Sequence, residues 1–472
     1  MTAGGALAAL PPGLRGAEPV ISPLMTRLSG YMADAAQREL PEAVAEKTRH
    51  IILDTVAAMI SGATLPPGKF AIKFAGLNKG APVSTVVASN ILSGPIEAAM
   101  CNAMLAHSDE TDDTHPPSQS HPGASIVPAA LAVGEKFGSD GKRFLRAVAL
   151  GYDIGPRVTI TLGKLQYMVE THRSTHAISG SFGSAAAAAC MAGLTAQQVR
   201  WVLSFTAQEA GGLASWQRDT DHIEKSFDFG GMPARNGVTA ALLVQAGATG
   251  VDDILAGPDN FLSAFNPKNG AELLIEKLGD RYEVTRTNFK KWTVGAPIQA
   301  PLDALENLLK REKFQAEQVK AVTVRIAANE ATIVDNREIP DICLQHLMSV
   351  MLVDKTVSFL SAHDGSRMKD AAVLKQRAKV NLVHDPELER LMPKRVAVVE
   401  VTLTDGKVLS ERVEAVRGTA DNPMTRDEVV AKARDLIAPV LGAATTGKLI
   451  DRILHLEDVK DVRELRPLLR KA

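Results

Sequence analysis

The sequence predicts a mainly α protein: a large all-helical domain, with a smaller α+β domain inserted before the C-terminal helices. Three observations predict it. The chain is 45% hydrophobic but only 4% aromatic, so its apolar mass is aliphatic and rich in alanine, the best helix former. Apolar residues recur at helical spacing through most of the first 285 positions. Strand signals are confined to a later block.

In order, residues 1–20 contain an early Pro-Pro and no basic start, which predicts a disordered tail rather than a signal peptide. From Pro41 to Ile60, Val44, Ile51, Ile52, Val56 and Met59 share one helical face, and Gly62 stops the helix. Further helices are predicted at about 94–107, 124–136, 141–160, 180–192, 196–209 and 234–247. Thr195 and Gln198 have capping-box spacing, and Pro233 precedes the last of these helices. The character then changes. Val322, Val324 and Ile326 alternate with polar residues, and Asp405-Gly406 between two apolar runs is a strong hairpin signal. Helices are expected at about 300–311 and 343–362, and after Asn422-Pro423 a Thr425–Glu428 capping box opens a helical return. The predicted division is 21–285 plus 419–472 for the helical domain and 286–418 for the insertion.

At 472 residues the chain is long enough for about three domains, or two with one large. Lys and Arg total 53 against 54 Asp and Glu, so no net basic charge points to nucleic acid or an anionic membrane. No apolar run reaches the length of a membrane span. Three widely spaced cysteines, Cys101, Cys190 and Cys343, predict no disulfide framework and a cytoplasmic, reducing setting.

Charge balance hides local segregation. HSDETDDTHPPSQSH, from His107 to His121, carries three histidines and four acids, and no Lys or Arg occurs from Gly80 to Glu135. If the preceding helix continued, His107, Glu110 and Thr114 would share one face. A solvated acidic turn and a metal site are alternatives, although the spacing matches no tight ligand motif. Mixed imidazoles and carboxylates also suit proton transfer near neutral pH. A second cluster, HRSTHAISGSFG, sets His172 and His176 four apart. It places Gly180 and Gly183 ahead of a predicted helix start, where an anion could bind, unless the glycines serve only helix packing. Lys225 precedes the glycine-rich turn SFDFGG, where the ordinary expectation is a surface residue; Lys290 and Lys291 open the insertion, where they could bind an anionic substrate from a hinge or simply be solvated. His346 lies in an apolar helix, where a histidine is more often core than catalyst.

These segments in this order resemble the MmgE/PrpD family, whose members include 2-methylcitrate dehydratase, cis-aconitate decarboxylase and iminodisuccinate epimerase. The resemblance rests on LDTVAAMISG, HSDETDDTHPPSQSHPGA, SGSFGSAAAAA, KSFDFGGMPARNGVTAALL, FKKW and NPMTRDEVVAKA, and covers the chain from about residue 22. It implies a helical domain, a smaller lid domain, a homodimer, and a site between the domains. Asp113 and Thr114 match the family's DDT segment, His121 its HP histidine, and Lys225 and Lys290 its two lysines. Glu110 stands where the family has a catalytic Asp. Ser174 occupies the place of a histidine, with His172 and His176 two residues to either side, and His346 aligns with a lid tyrosine.

The resemblance implies a substrate that is a small anionic polycarboxylate, with a reaction beginning by proton removal next to a carboxylate. Lys225 and Lys290, with His107 and Ser174, would bind it. His121 or His176 would be the base, oriented by Glu110, Asp113 and Thr114, and His346 would aid departure of a hydroxyl. No metal or organic cofactor is expected. The expected reaction is elimination of water, as in 2-methylcitrate dehydratase; decarboxylation or epimerisation of a related polycarboxylate is the alternative. A homologue that only binds an anionic metabolite, or a metal-dependent hydrolase, would be readings of another class.

Overall fold

The computed structural model describes residues 21–471, so the predicted tail at 1–20 lies outside the described residues. The chain is mainly α, as the composition and periodicity predict. Its apolar interior divides into two clusters. The first collects residues from Met25 to Phe289 and returns through Met424 to Leu469, and Phe359 joins it from between. The second runs from Trp292 to Val416.

At the centre of the first core is the Thr175–Ala192 helix, whose small residues let neighbouring backbones come close. It crosses the Gly141–Leu162 helix, where a Cβ on Gly155 would lie 2.2 Å from the Ser179 carbonyl oxygen. Alanine-rich composition is what makes this tight packing possible. The helix starts five residues earlier than the sequence suggests, because Ser174 caps it by accepting a hydrogen bond from the Ala177 N–H. Gly180 and Gly183 therefore sit inside the helix against Ser125, Pro233, Ile126 and Gly151. They serve packing and form no anion-binding end.

Most predicted helices are present within a few residues: Glu42–Gly62, Pro95–Ala106, Pro122–Phe137, Ala196–Glu209 and Met232–Gln245. Both predicted capping boxes form, at Thr195/Gln198 and Thr425/Glu428. The predicted 343–362 helix is broken into Leu344–Asp354 and Phe359–His363, with Lys355 left-handed at φ 63°. Among the described residues no single helix is long and apolar enough to cross a membrane.

In the first core the only strands among the described residues are the short pair β1 (Ser84–Thr85) and β2 (Leu92–Ser93). The second core is built on a four-stranded sheet of β3 (Val319–Ala327), β4 (Val380–Asp385), β5 (Ala397–Leu403) and β6 (Val408–Val413), ordered β4-β3-β5-β6. β5 and β6 form the predicted hairpin, with Gly406 at φ 91° in its turn. Val324 faces Val399, and Val401 faces Leu409, so the buried residues line up on one face of the sheet. The parallel edge strand β4 carried no clear alternation and is absent from the sequence reading.

Candidate active site

The Pro95–Ala106 helix ends before the acidic segment begins, with His107 as its cap residue. Residues 107–121 form an irregular loop, so the preceding helix does not continue into it. Asp109 takes the Thr111 N–H and hydroxyl, giving the backbone a local alternative to the helix. Nor is the loop a solvated turn: His107, Asp109, Asp112, Asp113 and His115 are all buried. Pro122 then starts the next helix, with His121 as its cap.

Buried carboxylates need partners, and each has one. Asp112 sits between two imidazoles, accepting from His107 Nδ1 at 2.9 Å and His121 Nδ1 at 3.1 Å. Against the penalty of burial, these contacts hold its carboxyl well below the usual range. Because a carboxylate accepts, both rings carry a proton on Nδ1, and in the neutral form each presents its lone pair at Nε2. Burial pushes His121 down to about 4 despite Asp112, so the ring is neutral at pH 7. Asp113 behaves differently. It accepts from the Tyr152 hydroxyl at 2.6 Å and the Gly123 N–H at 3.1 Å, and burial, with Asp112 adding, raises it to about 7.

The missing positive charge arrives from distant segments. Lys225, from the short Ile223–Ser226 helix, pairs with Glu110 Oε1. Lys290 reaches Glu110 Oε2 at 3.3 Å and Asp112 Oδ1 at 3.9 Å. An antiparallel bridge between Thr114 and Asn288 brings Lys290 to the loop. Against burial, the two ammoniums keep the Glu110 carboxyl well below its ordinary range. Lys225 is not the surface residue that its neighbourhood suggested, and of the two alternatives for Lys290 the solvated one is excluded, since it is 3% exposed. Lys291 instead pairs with Glu306 in the second core.

Aromatic rings close one side. Phe229, in a π-turn after Lys225, stacks on His176 at 3.8 Å and on His107 at 4.5 Å between centroids. His121 and His176 lie 5.4 Å apart, and burial, with His121 adding, holds His176 well below its ordinary value.

The structure thus brings together His107, Glu110, Asp113, Thr114, His121, His176, Lys225 and Lys290, although Thr114 enters through its backbone. Ser174 is engaged elsewhere, as helix cap and as hydrogen-bond donor to Asp228. His346 does not join the cluster. Both its ring nitrogens are buried without a partner, and burial, with Arg377 and Arg367 adding, pushes it down to about 4. A neutral ring outside the cluster does not match the protonated lid histidine expected of it.

Three participants escaped sequence reasoning. His363, at the end of the Phe359–His363 helix, places Nε2 2.9 Å from Asp109 and 3.8 Å from Asp341. Those carboxylates outweigh burial and raise it to about 9, so it is cationic at neutral pH. His222 packs 5.1 Å from the His107 ring, and burial, with Lys225 adding, lowers it to about 3. Asp112, central to the geometry, was visible only as part of the acidic run. Nothing in the sequence distinguished the other two.

The arrangement offers clustered cations, imidazole lone pairs and a protonated histidine around one buried loop, the elements of cofactor-free acid–base chemistry on an anion. Among the described residues, two groups could also hold a metal ion: His107, Asp112 and His121, or His107, Glu110 and His222.

Known proteins resemble this chain along nearly its whole length. The MmgE/PrpD N-terminal domain matches residues 26–274, and the MmgE/PrpD C-terminal domain matches residues 292–456. A cis-aconitate decarboxylase-like protein of Aspergillus oryzae is 24% identical across 94% of this chain and 96% of its own length. The cis-aconitate decarboxylase of Aspergillus terreus is 24% identical across 95% and 96%, and that of Homo sapiens 26% across 91% of each.

Proposed function

The chain belongs to the MmgE/PrpD family, and from that premise we propose that it is a cofactor-independent lyase acting on a small polycarboxylate. One observation carries the reading: the Glu110 carboxylate lies between Lys225 and Lys290, which come from 115 and 180 residues further along the chain. A substrate carboxylate can take the same place across both ammoniums. As charge develops on that carboxylate during proton removal, the ammoniums are already in position to stabilise it.

The base is His121 or His107, each presenting Nε2 because Asp112 holds Nδ1. Asp112 is a positioning residue that fixes both tautomers, and Phe229 sets the stacking distance of His107 and His176. The acid assigned to His346 from sequence passes to His363, which is cationic and belongs to a helix joining the two cores. With a base and an acid both present, elimination of water from a hydroxy-polycarboxylate is the first reading. Loss of CO2 needs the same charge stabilisation and a proton returned to carbon. It is favoured by the cis-aconitate decarboxylases that match along nearly the whole chain.

The test is to incubate EDTA-treated protein with hydroxy-di- and tricarboxylates and with cis-aconitate in deuterated water, followed by NMR. Alkene formation marks dehydration, CO2 loss with deuterium at carbon marks decarboxylation, and label without net conversion marks epimerisation. If no substrate in the panel exchanges or turns over, the lyase reading fails.

A further inference from the structure

We propose that His107, Glu110 and His222 form a binding site for a zinc-type divalent ion, and that the ion acts as an inhibitor. One ligand atom from each of the three lies within 4.8 Å of the others. A first-row ion bonded at about 2.1 Å draws its ligands to within about 3.5 Å of one another. The long arm of Glu110 can supply that closure.

The grouping alone would be weak, since clustered acids and histidines are common. The second observation is the state of the imidazoles. His107 is fully buried, and its Nε2 has no hydrogen-bond partner; nor has the buried Nε2 of His222. An orphaned buried nitrogen costs free energy unless something meets it. The other nitrogen of His107 donates to Asp112 at 2.9 Å. A ring that gives one N–H to a carboxylate and presents its remaining lone pair is the usual outer arrangement of a metal-bound histidine, and it raises ligand basicity. Two imidazoles and one carboxylate suit zinc and its neighbours and do not suit magnesium, which prefers all-oxygen ligation.

Inhibition follows from what the ion would occupy. It would cover Nε2 of His107, and it would compete with Lys225 and Lys290 for Glu110, displacing the pair of charges across which a carboxylate binds. Two lysines next to a cation also limit its affinity, so binding should be reversible by a chelator.

The test titrates EDTA-treated full-length protein with Zn²⁺ alone, by calorimetry and by metal analysis after dialysis, and does not depend on substrate or turnover. One ion per chain is expected, with Mg²⁺ failing to bind at the same concentrations. His222 is left-handed at φ 65°, a conformation asparagine tolerates, so His222→Asn keeps the backbone and should weaken Zn²⁺ binding at least tenfold. Lys225→Met removes the competitor for Glu110 and should tighten it severalfold. His121→Asn should leave it unchanged. Unaltered binding in His222→Asn, weaker binding in Lys225→Met, loss in His121→Asn, or equal binding of Mg²⁺ would each overturn the assignment.

Discussion

Asp109→Asn isolates the contact that joins the second core to the acidic loop. In the wild type, His363 Nε2 faces Asp109 at 2.9 Å and Asp341 at 3.8 Å, its Nδ1 faces the Phe359 carbonyl at 2.9 Å, and Asp435 lies nearby. These groups raise the imidazole from 6.5 to about 9. A displacement of that size corresponds to about 3 kcal/mol of preferential stabilisation of the folded state, with each tenfold worth about 1.4 kcal/mol. The group is raised, so the contribution is complete below pH 6.5 and is lost as pH climbs through 9. Asparagine keeps the shape and an acceptor oxygen but removes the charge. The assay is NMR of histidine-labelled protein, with the His363 signal identified by its absence in His363→Gln. The wild-type midpoint should lie near 9 and fall by more than one pH unit in Asp109→Asn, with Asp341 retaining part of the rise. Urea unfolding should show the variant less stable at pH 6 by up to about 3 kcal/mol, and the two proteins converging by pH 10. A wild-type midpoint at or below 7, or one that Asp109→Asn leaves in place, would refute the pairing.

Lys225→Ala should lower turnover at least about 100-fold with an unchanged circular dichroism spectrum, and activity within twofold of wild type would remove it from the site. Ser174→Ala should cost about 1–3 kcal/mol, from a lost helix cap and an unsatisfied Asp228, with little change in KM; a raised KM at unchanged stability would restore the substrate-binding role. Gly155→Ala forces a methyl to 2.2 Å from the Ser179 carbonyl oxygen and should lower stability by about 2 kcal/mol or more, measured by thermal unfolding; a neutral result would mean the two central helices separate freely.

Much of the scaffold was legible because its signals are local. Helical periodicity, Thr–x–x–Gln and Thr–x–x–Glu spacings and Asp405-Gly406 each act within a few residues, and each formed as read. Strand β4 was missed because an edge strand half-covered on both faces has no clean alternation. Whether the helix before the acidic loop continued into it could not be read, because spacing along a face says nothing of Asp109 competing for the Thr111 backbone. The lysines were legible as a deficit, since a run of acids without a cation implies one elsewhere. His363 was not, because what distinguishes it is a carboxylate more than 250 positions away. His346 attracted attention through alignment, whereas burial, with Arg377 and Arg367 adding, keeps it neutral.

Lys432, from the Arg426–Leu441 helix, donates to the Thr111 carbonyl at 2.9 Å and pairs with Asp54 at 2.7 Å, tying the acidic loop to a residue 321 positions later. During synthesis, then, the nascent helical body carries its acidic loop without Lys432 until the intervening sheet has been made. The Thr111 carbonyl and the buried Asp54 carboxylate gain this partner only as the C-terminal helices emerge from the ribosome. A chain stopped before residue 432 would hold the side chains of the candidate site and still lack this tie to the loop. Anchoring of the acidic loop is therefore a late event in the life of each molecule.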